Sequence, residues 1–130
     1  MVNSNFRKYV LSTGKEIIAG KSAEQNDLLV SVAKRNDFLL HTLAPGSPFV
    51  NIGESPTKQE IKEAAIFCAL KSHDFRDNHS DVFVHLFMKN FCKKEKTAKN
   101  GTWNVSKIID SFKIKKSDIL SLEKQLAESQ

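Results

Sequence analysis

Residues 37–52 read Asp37-Phe38-Leu39-Leu40-His41-Thr42-Leu43, then Ala44-Pro45-Gly46-Ser47-Pro48, then Phe49-Val50-Asn51-Ile52. Asp37 to Leu43 is apolar and strand-like, with one histidine near its end. Pro45-Gly46-Ser47-Pro48 is the tightest turn signal in the chain, because proline fixes φ where glycine frees it. Phe49 to Ile52 resumes as a strand. Two strands around a short turn put β-structure at the centre of the molecule.

Helices are expected on either side. Ser22-Ala23-Glu24-Gln25 is a capping box, in which the Ser22 hydroxyl accepts from the Gln25 amide while the Gln25 side chain reaches back. Leu28, Leu29 and Val32 follow at helical spacing, predicting a helix from about Ala23 to Ala33. Thr57-Lys58-Gln59-Glu60 is a second capping box, preceded by Pro56. Behind it Ile61, Ala64, Ala65, Phe67, Cys68 and Ala69 predict a helix to about Ser72, with small residues suited to close packing on a sheet. Farther out, Phe6 to Ser12 and Glu16 to Ala19 read as strands around the turn Thr13-Gly14-Lys15. His73 to Ser80 is polar and reads as a loop. Val82 to Phe87 reads as a strand, extendable to Phe91. Lys89 to Gly101 reads as a basic connection, and Trp103 to Ile109 with Phe112 to Ile114 as a last strand or hairpin. Ser117-Asp118 caps an amphipathic helix through Leu120, Leu122 and Leu126. The expectation is one α/β (α+β) domain over residues 1–130, with its core at about 6–115 and a C-terminal helix at about 118–128. The sheet is expected to be mixed or mostly antiparallel, with two to three packed helices.

With 130 residues, the chain can bury a real core without disulfide staples. No stretch approaches the roughly 18 apolar residues that span a bilayer, and residues 1–7 lack the apolar segment of a secretory signal. Two cysteines, Cys68 and Cys92, each among apolar neighbours, read as free buried thiols of a cytoplasmic protein. Lysine and arginine outnumber aspartate and glutamate by 20 to 15, a net charge of +5 that permits a polyanionic partner.

Three features could carry chemistry. Lys89, Lys93, Lys94, Lys96 and Lys99 fall in a short run holding one acid, Glu95, and are flanked by Phe91 and Trp103. Such ammonium groups can meet phosphates, and an exposed aromatic beside them can stack an unpaired base. The plainer alternative is a solvated loop with both rings in the core. At the central turn, His41 and Ser47 could hydrogen-bond a phosphate or sugar, with Gly46 permitting close approach; alternatively the imidazole satisfies the turn's own backbone. His73, His79 and His85 match no zinc spacing. Phosphate-loop, dinucleotide and nucleophile-elbow signatures are absent, so binding is expected rather than catalysis, with no cofactor or metal. A rival expectation is a protein-interaction module with Phe83, Phe87 and Phe91 forming an apolar strand face.

Taken in order, these motifs resemble the NFACT RNA-binding domain of ribosome quality-control proteins, some of which carry an older label as fibronectin- or fibrinogen-binding proteins. The resemblance runs from Tyr9-Val10-Leu11-Ser12 through Gly20-Lys21-Ser22-Ala23-Glu24-Gln25-Asn26. It continues through Asp37-Phe38-Leu39-Leu40-His41, Gly46-Ser47, the helix with Ala64, Ala65 and Ala69, and Val82 to Lys94. Where the family usually places an aromatic in the Asp-to-His strand, this chain has Phe38 and Leu39; after Gly-Ser it has Pro48. The resemblance implies an α/β sandwich-like domain that contacts tRNA or ribosomal RNA, in the setting of the large ribosomal subunit, with DNA not excluded and no membrane partner. It also implies companion elements that these residues do not contain: an N-terminal NFACT domain, a helix–hairpin–helix and a coiled coil. The chain is therefore expected to be either a stand-alone member or an excised piece. Two contact zones are expected: the lysine run (Lys89, Lys93, Lys94, Lys96, Lys99), and Lys21 and Asn26 at the first helix start together with His41 and Ser47 at the turn.

Overall fold

The computed structural model describes residues 4–129. Among the described residues, eight strands and four α-helices follow one another: β1 (Arg7–Val10), β2 (Glu16–Ala19), α1 (Ala23–Val32), β3 (Asp37–Thr42), β4 (Val50–Glu54), α2 (Lys58–Leu70), α3 (His73–Asn78), β5 (Val82–Met88), β6 (Cys92–Lys93), β7 (Asn104–Val105), β8 (Asp110–Ile114) and α4 (Lys116–Glu128). Six strands form one sheet in the order β1-β2-β4-β3-β5-β8, with every neighbouring pair antiparallel. The central turn joins β3 to β4, as expected. A register shift between Phe38 and Leu39 adds a local irregularity to that pair. β6 and β7 form a separate two-stranded arm.

Strand alternation sends side chains to two different cores. On one face Ile17, Ala19, Leu40, Val50, Ile52, Val82, Val84 and Leu86 pack with Ala64, Ala65 and Cys68 of α2 and with Ile119 and Leu122 of α4. The alanines let α2 lie close to the strands. Each large apolar side chain buried here contributes roughly 1.5–3 kcal/mol. On the other face Leu39, Phe49 and Phe87 pack with Leu29 and Val30 of α1, and Cys92, Trp103 and Val105 of the arm close over them. Cys68 is buried and Cys92 half-buried, both as free thiols and in different cores.

Local chemistry explains the helix ends. Thr57 and Glu60 form the full reciprocal capping box. Ser22 accepts from the Gln25 amide, and the Gln25 side chain reaches back to the Lys21 N–H. α4 starts earlier than Ser117-Asp118 suggests and carries no side-chain cap on its own N-cap residue. Instead the Lys116 N–H donates to Asp81 at 2.8 Å, so a carboxylate from the segment before β5 takes the capping role.

Two expectations need correction. The segment 73–80 is not all loop: His73–Asn78 is a short helix whose Ser72 cap accepts from the Phe75 amide, with Phe75 buried beneath it. One buried aromatic and a serine cap outweigh the polar composition. The stretch from Trp103 to Ile109 is mostly irregular, because its two strand residues pair with β6 and the main sheet is rejoined only at Asp110.

Candidate nucleic-acid interface

A cleft of about 640 Å³ opens where three parts of the chain converge: the Gly20–Ser22 entry into α1, the turn between β3 and β4, and the end of the arm from Asn100 to Val105. Its polar lining includes Arg7, Lys21, Lys71, His41, His73 and His85; Phe49, Phe87 and Trp103 supply rings. Among the described residues, no aspartate or glutamate lines it. The turn is held to α3 by the His73 N–H, which donates to the Gly46 carbonyl at 2.8 Å. Gly46 has φ +86°, and a Cβ there would stand 2.6 Å from the His73 ring, so this junction requires glycine on both counts.

Two members of the expected turn zone build the cleft rather than face a ligand. Asn26 is buried; its amide nitrogen donates to the Ser47 carbonyl at 3.3 Å, and its oxygen accepts from the Phe49 N–H at 3.0 Å. Gly20 sits so close that a Cβ would lie 2.0 Å from the Asn26 oxygen. The Gly20-to-Asn26 spacing is therefore a packing requirement that ties α1 to the turn. Ser47 is buried as well, accepting from the Thr42 N–H at 3.1 Å and donating to the Pro48 carbonyl at 3.3 Å. Lys21 is exposed at the cleft edge. His41 is half-buried, stacked on Phe49 at 4.3 Å between ring centroids, and paired in register with His85 on β5. Burial pushes its pKa down to about 4, so at neutral pH it offers a neutral ring and not a cation.

The lysine run divides in the same way. The Lys89 amine donates to the carbonyls of Val30, Ser31 and Ala33, at 2.5, 3.2 and 3.1 Å, and so closes the C-terminal end of α1. The Lys94 amine donates to the Asp27 carboxylate at 2.9 Å and to the carbonyls of Lys99 and Thr102, lying over the Trp103 ring. Asp27 also accepts from the Gly101 N–H at 2.7 Å and from the Trp103 indole at 3.1 Å. These bonds fasten the arm that walls the cleft. Lys93, Lys96 and Lys99 are exposed along the arm leading into that wall.

Sequence reasoning missed Arg7 and Lys71 as candidate contacts. Arg7 donates to the Gly20 carbonyl at 3.1 Å, and the hairpin register that pairs it with Ala19 could have placed it beside Lys21. Lys71 ends α2, immediately before the serine that caps the unanticipated α3. The apolar stripe of the rival expectation does not form: Phe87 is buried and Phe91 lies in a 3-10 turn after β5, leaving only Phe83 of the three markedly exposed, at 48%. Among the described residues, no three His, Cys, Asp or Glu side chains gather to hold a metal ion, and no helix is long and apolar enough to cross a membrane.

The family model for the NFACT protein RNA-binding domain matches residues 5–107. The fold is similar to that of the C-terminal part of the fibronectin/fibrinogen-binding protein from Streptococcus suis, with a TM-score of 0.79 and 22% sequence identity. That match covers 93% of this chain and 50% of the other, so this chain spans about half its length. No curated protein matches the chain.

Proposed function

Because the chain belongs to the NFACT protein RNA-binding domain family, we propose that it binds RNA in the cleft between α1, the β3–β4 turn and the arm, without catalysing a reaction. One observation carries this reading: three cations from distant parts of the chain, Arg7, Lys21 and Lys71, meet in a cleft that no described carboxylate lines. Uncompensated charge in a concave surface concentrates field and favours a polyanion. The exposed Lys93, Lys96 and Lys99 extend the basic character along the arm. Within that reading the RNA is tRNA or ribosomal RNA, the setting is the large ribosomal subunit in the cytoplasm during quality control, and DNA competes unless 2′-hydroxyl contacts discriminate.

The test is tRNA binding titrated with salt. Each neutralised phosphate contributes roughly −0.7 to −0.9 to the slope of log affinity against log salt. Lys21→Glu with Lys71→Glu should weaken binding and flatten that slope by about 2. Lys58→Glu, on the exposed first turn of α2, should do neither. Equal effects from both changes, or a slope near zero for the unaltered protein, would overturn the assignment.

A further inference from the structure

Building on that reading, we propose that the RNA held here is unpaired, its bases stacking on His41 and Phe83 across the uncovered part of the sheet. Strand register puts these two rings on one face. His41 is directly opposite His85, and Phe83 precedes His85 by two residues, so all three point the same way. α1 and the arm cover this face over Leu39 and Phe87 but leave Phe83 48% exposed. Leu43 bridges the two platforms: its N–H donates to the Phe83 carbonyl at 2.9 Å, and its side chain lines the cleft.

The shape argues against a duplex. A paired helix presents phosphates on a convex surface and keeps its bases inside, so it cannot deliver a ring into a cleft of about 640 Å³. That volume lies in the range of small-molecule sites, roughly 300–1,000 Å³, which suits extruded bases. Unpaired bases stack on aromatic and histidine side chains exposed on sheets, the mode by which sheet-based modules hold two or three bases. His41 is suited to this, because Phe49 supports its inner face at 4.3 Å and its neutral ring stacks without an imidazolium's hydration shell to remove. Phosphates would remain at the rim, near Lys21 and Lys71.

The experiment compares a labelled single-stranded RNA about 8 nucleotides long with a blunt hairpin that pairs the same sequence and is closed by a non-nucleotide linker, so that it has no unpaired base, using 2-aminopurine at one position of each to report stacking. The single strand should bind at least about tenfold tighter and show quenched fluorescence. Phe83→Ala should reduce single-strand affinity about 5- to 150-fold, the range for loss of one stacked base, and leave the hairpin unaffected. Phe83 is exposed, so this variant keeps its fold; His41→Ala is the companion, checked by circular dichroism. A hairpin bound as tightly as the single strand, or an unchanged Phe83→Ala, overturns this inference and leaves RNA binding standing. Binding of neither RNA at low salt overturns the functional reading beneath it.

Discussion

Replacing Asp27 should loosen one wall of the cleft while leaving the sheet intact. Its carboxylate gathers three donors: the Lys94 amine at 2.9 Å, the Gly101 N–H at 2.7 Å and the Trp103 indole at 3.1 Å. In Asp27→Ala the Lys94 amine keeps two carbonyl acceptors, on Lys99 and Thr102, so the ammonium is not stranded. The Gly101 and Trp103 donors lose their acceptor. Two neutral donors bonded to a carboxylate contribute about 1.5 kcal/mol each, and the Lys94 pair, reduced by partial exposure, adds up to about 1, a sum of about 3–4 kcal/mol. Asp27→Asn keeps an acceptor oxygen and should cost about 1 kcal/mol. Trp103 is the only tryptophan, so its emission reports on this node without interference. Urea unfolding followed by that emission gives the stability change, and amide exchange at Gly101 shows whether the loss is local to the arm. The Ala variant should also bind tRNA more weakly, since the wall carrying Asn100 to Trp103 is no longer fixed. If it matches the unaltered protein in both stability and Gly101 exchange, the three-donor node does not fasten the arm.

Gly20→Ala drives a methyl to within 2.0 Å of the Asn26 oxygen and should cost about 2–4 kcal/mol by breaking two buried hydrogen bonds; a midpoint unchanged in urea would refute this. Lys89→Met removes the amine from three carbonyls at the end of α1 and should cost about 1–2 kcal/mol while leaving the salt slope of RNA binding unaltered; a flattened slope would return Lys89 to the interface. Because His41 titrates at about 4 in the fold and near 6.5 unfolded, its neutral ring contributes stability that is intact above pH 6.5 and is lost as pH falls towards 4. The loss is at most about 3 kcal/mol. His41→Gln should therefore lose less stability than the unaltered protein between about pH 7 and about pH 5, and identical losses would exclude the imidazole as the cause.

The fold was legible where a residue type has one local use. Ser22 and Thr57 capped helices where expected, because each hydroxyl satisfies an orphan N–H of the first turn, although only Thr57 with Glu60 forms the full reciprocal box and Gln25 reaches back one residue farther, to the Lys21 N–H. The proline–glycine turn placed β3 beside β4. The reading failed where the deciding contact lay far along the chain. α3 depends on Phe75 finding a place in a core assembled from α2 and the sheet. The first turn of α4 depends on Asp81, 35 residues before the amide it accepts from.

The candidate site divides along the same line, in a way that bears on what its motif residues are for. Gly20, Asn26 and Ser47 recur in the resemblance as an ordered set, which invites reading them as contacts. Each instead fixes a shape: Gly20 makes room for Asn26, Asn26 ties the turn to α1, and Ser47 closes the turn upon Thr42. Asp37 does similar work, accepting from the Lys34 N–H at 2.9 Å and from Asn51 at 3.1 Å. The densest lysine run also holds two residues whose amines are taken up inside the fold. The cations that line the cleft stand at positions 7, 21 and 71, where no window along the sequence would group them. A surface that meets phosphates, as proposed for this cleft, would place light demands on individual residues, since any long basic side chain at the rim serves, and strict demands on the backbone beneath. The motif is therefore expected to specify the cleft, with binding strength set by exposed lysines and arginines that the motif does not include.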